Sequence, residues 1–248
     1  MAVTFFFVLG GFAMTLGYKD KIVGVDFDYR QYLTRRCIKF YPLHWLCLLS
    51  VALPILLRHY DKLYLVRDFC LNVVLLQTWI PIESVYFSFN AVSWYLADTM
   101  FFAVVFPFVF RWISRATPQR KGVIAGALAA IYVVVAVLIP ENKYHAILYI
   151  SPYMRLMDFV FGIYLALGYL KLKERPVEKW NNTLSQIAIL ILIVLLVAES
   201  CVLTENARLF ALVYWLPVAL LIVIASLSER IGGGKNGLII DGYSVLAS

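Results

Sequence analysis

The chain has 248 residues, of which 62% are hydrophobic and 15% charged, and its mean hydropathy is +0.82. A soluble domain carries roughly 45 to 50% apolar and about 25% charged residues, so this composition excludes an ordinary soluble fold, a disordered segment, a collagen-like repeat and a disulfide scaffold. The net charge of +7 would point a soluble protein toward nucleic acid, but here Lys and Arg fall between apolar runs, as membrane orientation requires, and no nucleic-acid partner is expected.

Apolar runs occupy about 2 to 17, 40 to 57, 68 to 82, 91 to 110, 122 to 140, 146 to 170, 183 to 198 and 209 to 227, with a last fragment from 237. Most are long enough to span at about 20 residues per crossing. The run at 68 to 82 rises only roughly 22 Å as a helix and falls short. The expected fold is therefore all-α: a polytopic transmembrane helix bundle of about seven spanning helices plus one short re-entrant or interfacial segment.

Loop charges point the same way. Lys19, Lys21, Arg30, Arg35, Arg36 and Lys39 follow the first run; Arg111, Arg115, Arg120 and Lys121 follow the fourth; Lys171, Lys173, Arg175 and Lys179 follow the sixth. Placing all three clusters on one side requires an even number of crossings between the first two, although three apolar runs intervene. Residues 59 to 90 are thus expected to form one excursion on the opposite side. The first residues open directly into Phe5, Phe6 and Phe7, and the last lie in a fresh apolar segment. The chain reads as a single membrane-embedded domain over 1–248, the middle of a longer protein.

Ionisable residues inside apolar segments are functional candidates by default, because burying them is costly. Three stand out: Asp98, Arg155 and Asp158. Arg155 and Asp158 share a helix face at i, i+3 and can pair, either as a structural ion pair or as part of a substrate site. Asp98 has no partner on its own helix and must find one elsewhere. A second constellation comprises Arg35, Arg36 and Lys39, followed by Tyr41, Pro42, His44 and Trp45. Pro42 suits a first helical turn, which would put these cations at a helix N-terminus suited to anions; a topology anchor is the other reading. His44 reads as an interfacial histidine. Cys37, Cys47, Cys70 and Cys201 read as small apolar residues, with no metal site expected. Gly10 and Gly11 allow close helix packing. Asn181 and Thr183 form a glycosylation sequon in a loop placed on the cytoplasmic side.

At these residues the sequence resembles acyltransferase family 3, integral membrane O-acyltransferases that modify lipopolysaccharide O-antigen, peptidoglycan and other surface glycans. Residues 5–12, FFFVLGGF, resemble the family's FFFVLSGF. Residues 35–45, RRCIKFYPLHW, resemble its RRxxRiyPlyW, with Lys39 replacing an arginine. The pieces around Gln77 and Trp79, around Trp94, and at Phe106 and Pro107 follow in order, and residues 152–162 resemble the PxxRxxEFxxG helix. The resemblance implies transfer of an acyl group, typically acetyl, from cytoplasmic acyl-CoA to a hydroxyl of a surface glycan or related acceptor, in the bacterial cytoplasmic membrane. It makes Arg35, Arg36 and Lys39 ligands of the CoA phosphates, gives Asp98, Arg155 and Asp158 catalytic roles, and places His44, Gln77 and Trp94 along the substrate cavity. The family's histidine base sits on a helix before residues 5–12, so the first catalytic helix and C-terminal helices are expected outside this chain. The family's glutamate falls at Thr99, one position past Asp98. A transporter or flippase for an anionic or lipid-linked solute, and a catalytically inactive relative, stay open as alternatives. So do a homo-oligomer and a separate downstream transferase.

Overall fold

A computed structural model describes residues 2–24, 26–58, 63–173, 182–202 and 211–232. The segment from 237, Asn181 of the sequon, Lys62, and Arg175 and Lys179 of the third basic cluster lie outside the described residues. Among the described residues the chain is helical without strands: α1 (Ala2–Val23), α2 (Tyr29–Arg58), α3 (Leu63–Val73), α4 (Glu83–Tyr86), α5 (Ser93–Arg115), α6 (Pro118–Leu138), α7 (Pro152–Lys173), α8 (Asn182–Val202) and α9 (Ala211–Gly232). All except α3 and α4 have at least 21 residues, a rise of about 31 Å that matches the hydrocarbon core. α1, α2, α5, α6 and α7 are long and apolar enough to cross, and α8 and α9 carry the apolar stretches Gln186–Ala198 and Tyr214–Leu227. This is the all-α bundle expected of an integral membrane protein.

The centre is the crossing of α1 with α7, the most extensive helix pair among the described residues. Gly11 and Gly162 create it reciprocally: a Cβ on Gly11 would strike the Phe159 carbonyl, and one on Gly162 would strike the Val8 carbonyl. Small residues let membrane helices approach backbone to backbone. Gly10, read with Gly11 as a packing glycine, contributes less, because a Cβ there would meet only the Phe159 ring at 3.9 Å. Aromatic rings fill the seam with α5. Phe7 stacks on Tyr95 at 4.8 Å and meets Phe102 edge-on at 5.0 Å, and Phe102 stacks on Phe159 at 5.1 Å.

Contacts at the two ends fix the topology. Arg111 Nε donates to the Ile22 carbonyl at 3.0 Å, and the Tyr164 hydroxyl donates to the Lys121 carbonyl at 3.1 Å. The C-terminus of α1 and of α5 and the N-terminus of α6 therefore share one basic end. At the opposite end α2 runs 14 residues past His44 to Arg58, about 21 Å, and α3 returns alongside it. With 11 residues, α3 rises about 16 Å and cannot cross, so this segment turns back on the same side, as a re-entrant or interfacial piece does. Its return brings residues 72–79 level with the first turn of α5.

One local expectation is corrected. Pro42 does not open a helix. α2 begins after Asp28, whose carboxylate accepts from the Arg30 and Gln31 amides at 2.8 and 3.1 Å, and Pro42 lies in its interior. The Asp28 cap outweighs the signal of a proline that membrane helices tolerate. Arg35, Arg36 and Lys39 thus stand on continuous helix, without free backbone N–H groups beside them.

Candidate active site

Arg155, 1% exposed, sits on the first turn of α7. Its Nη1 donates to Asp158 Oδ2 at 2.9 Å and to Thr4 Oγ1 at 3.2 Å, its Nε donates to the Tyr149 carbonyl at 2.7 Å, and the guanidinium lies 4.7 Å from the Tyr149 ring centre. Trp215 of α9 donates to Asp158 Oδ1 at 2.6 Å. Both carboxylate oxygens of Asp158 are therefore paired, as burying an ion in an apolar medium demands.

Asp98 differs. It is fully buried, and neither carboxylate oxygen completes a hydrogen bond. The Thr78 hydroxyl lies within hydrogen-bonding reach of it, and the Arg155 guanidinium acts on it through its charge. Thr78 Oγ1 and Gln77 Oε1 are also buried without a completed hydrogen bond; the Thr78 hydroxyl can donate to Asp98, which leaves spare acceptor capacity on Asp98 and on Gln77 Oε1 where the turn after α3 meets α5. Buried unpaired acceptors are rare and costly. Thr99, the position matching the family's glutamate, donates to the Tyr95 carbonyl of its own helix at 2.8 Å. The inward acid is Asp98.

The turn holding Gln77 and Thr78 is positioned with care. α3 ends in a Schellman motif, with Leu76 N–H donating to the Leu71 carbonyl at 2.8 Å and Leu75 N–H to the Asn72 carbonyl at 3.1 Å. Leu75 takes φ 59° there, a left-handed conformation that costs a non-glycine residue roughly 1 to 2 kcal/mol. Side chains of α2 add bonds to the carbonyls at this end: His44 Nε2–H donates to Asn72 at 2.8 Å, Trp45 Nε1–H to Val73 at 3.0 Å, and the Tyr41 hydroxyl to Val74 at 3.4 Å. His44 is buried and its hydrogen bond to Asn72 is satisfied within the fold. From Asn72 the network continues: Asn72 Oδ1 accepts from Ser93 Oγ at 3.3 Å, and Ser93 Oγ accepts from Gln77 Nε2 at 3.1 Å. Trp94 backs the site, tilted against Tyr149 at 5.4 Å.

His145 lies at the rim, in a π-helical turn before α7. Its Nδ1 is 3.2 Å from the Tyr86 hydroxyl and its ring stacks on Tyr149 at 5.3 Å. Burial pushes the imidazole below its ordinary value, Glu83 opposes that, and Arg155 adds to it.

The cationic trio sits at the other end. Arg36 is buried over the Tyr18 and Tyr32 rings, 5.1 and 5.6 Å from their centres. Its Nε has no partner, and among the described residues no carboxylate pairs with it. Arg35 lines an adjacent cleft of about 310 Å³ with Lys21 and Gln31, and Lys39 is exposed. Tyr18 and Thr4, which mark the two ends on α1, are 14 residues apart, about 21 Å. The fold thus brings Asp98, Arg155, Asp158, Gln77, Trp94 and His44 to one region and keeps Arg35, Arg36 and Lys39 apart from it. Sequence reasoning missed Thr4, Asn72, Thr78, Ser93, Tyr149, His145 and Trp215. Thr4 and Asn72, polar within apolar runs, carried a signal; Trp215 carried none.

These features define an integral membrane protein with a buried charged centre and a separate basic end. The profile of the acyltransferase domain matches residues 1–240, and the chain belongs to acyltransferase family 3. It is 28% identical over 187 residues to acyltransferase MdmB of Streptomyces mycarofaciens, a match covering 67% of this chain and 46% of that relative. The chain thus spans about half the length of that relative. No solved structure matches it.

Proposed function

We propose that the protein transfers an acyl group, typically acetyl, from acyl-CoA to a hydroxyl of a surface glycan or related acceptor, within a bacterial cytoplasmic membrane. The observation that carries this reading is the two-ended core: a buried guanidinium without a carboxylate at the basic end, and unsatisfied Asp98 beside Arg155 at the other. Arg36, flanked by Arg35 and Lys39, binds the CoA phosphates through charge-assisted hydrogen bonds. The separation of about 21 Å between Tyr18 and Thr4 is of the order of an extended pantetheine arm, which delivers the thioester to Arg155. Arg155, oriented by Asp158, stabilises the charge that develops on the thioester oxygen. Asp98, Thr78 and Gln77 accept hydrogen bonds from the acceptor and orient its hydroxyl. The hydroxyl oxygen bonds to the acyl carbon, the carbon–sulfur bond breaks, and CoA leaves as the thiol with the hydroxyl's proton.

The test is release of CoA thiol by the full-length protein in nanodiscs when glycan acceptors are added. Acceptor-dependent release that Asp98→Asn lowers at unchanged acyl-CoA affinity supports the reading. Thiol release indifferent to any hydroxyl acceptor removes it.

A further inference from the structure

The turn joining α5 to α6 lies at the basic end, where two spanning helices leave the hydrocarbon together. It is short: Ala116 is extended, and Thr117 caps α6 by accepting from the Arg120 amide at 3.3 Å, with Pro118 in the first turn. Beside it opens a cleft of about 420 Å³ lined by Trp112, Arg115, Gln119, Arg120, Val123 and Ile124. Arg115 and Arg120 are exposed, and among the described residues neither has a carboxylate within ion-pair distance. Trp112 is 61% and Val123 72% exposed.

This combination matches one ligand chemistry. Two unpaired guanidiniums favour a phosphate, which arginine can grip bidentately. An exposed tryptophan and an aliphatic wall on the same cleft favour acyl chain and glycerol, at the depth where aromatic side chains meet headgroups. A soluble phosphate would use the cations and leave that wall idle. The mixed-charge cleft near Arg35 is different, since Asp20, Asp26 and Asp28 line it beside Lys21 and Arg35.

We infer that the α5–α6 cleft binds the phosphate headgroup of an anionic phospholipid, with Arg115 and Arg120 on the phosphate and Trp112, Val123 and Ile124 against the lipid's apolar part. The site is independent of the acyl-transfer reading, because none of its residues belongs to either end of the proposed reaction path. It fastens the basic end to the anionic leaflet next to a helix, α6, that is otherwise sparsely packed on the bundle.

The test uses the full-length protein in phosphatidylcholine nanodiscs with and without phosphatidylglycerol, counting by native mass spectrometry the lipids kept after detergent transfer. The wild type should retain phosphatidylglycerol in preference to phosphatidylcholine. Arg115→Gln and Arg120→Gln should each weaken that retention about five-fold, the scale of one cation at a membrane surface. Both side chains are exposed, so the variants fold. Arg30→Gln removes the same charge from another exposed position at the same end and should leave retention unchanged. Equal loss with Arg30→Gln would mean diffuse basic attraction and overturn the site. So would displacement of the lipid by inorganic phosphate alone, or no preference for the anionic lipid.

Discussion

At the scale of single residues, the Arg155–Asp158 pair is the strongest commitment in the protein. Removing one partner leaves the other charge buried, so Arg155→Gln or Asp158→Asn should each cost about 3 to 5 kcal/mol, read as a lowered unfolding midpoint in detergent. Arg155→Met with Asp158→Leu should recover much of that stability while abolishing acyl transfer. Near the rim, His145 makes stability depend on pH. Its folded value is lowered from 6.5 by burial, so between that lowered value and 6.5 the unfolded chain binds more protons than the native one. Stability should fall as pH drops through this window, and His145→Gln should flatten the melting temperature there. Of the centre, the i, i+3 pair was legible in the sequence because spacing alone puts both side chains on one face. Thr78 and Trp215 were not, since each reaches the centre from another element and only tertiary packing brings it there.

Elements obey a similar division. Run lengths set by membrane thickness made the long helices legible, and the charge count across loops exposed the run at 68 to 82 as non-crossing. Pro42 misled, because a proline signals a helix start in water, whereas here an upstream Asp28 cap and a surrounding bundle keep it inside α2. The Schellman turn at Leu75 was hidden because its left-handed position is filled by leucine rather than glycine. For the helices themselves, Gly11→Ala and Gly162→Ala should force α1 and α7 apart and destabilise by about 1 to 3 kcal/mol, as overpacking does. Gly126→Ala on α6 meets nothing within 4 Å and should be neutral or stabilising by up to about 1 kcal/mol through helix propensity. Thermal unfolding of the three variants side by side checks the contrast. A loss at Gly126 equal to that at Gly11 would contradict this view of the α1–α7 crossing.

The whole molecule has two ends with different chemistry. In a background with Cys37, Cys47, Cys70 and Cys201 replaced, single cysteines at Asp26 and Thr117 should label from one side of the membrane and one at Glu83 from the other; labelling of Glu83 from the same side would break the re-entrant topology. The central claim is that the basic end holds the acyl donor while the buried centre handles the acceptor. Its most direct test is equilibrium binding of acyl-CoA to the full-length protein in nanodiscs, comparing wild type, Arg36→Gln and Asp98→Asn. Loss of a charge-assisted contact is worth about 1.5 to 3 kcal/mol, so Arg36→Gln should weaken binding roughly 10 to 150-fold, with Asp98→Asn binding like wild type. Unchanged affinity in a correctly inserted Arg36→Gln protein, or a comparable loss in Asp98→Asn, would contradict it.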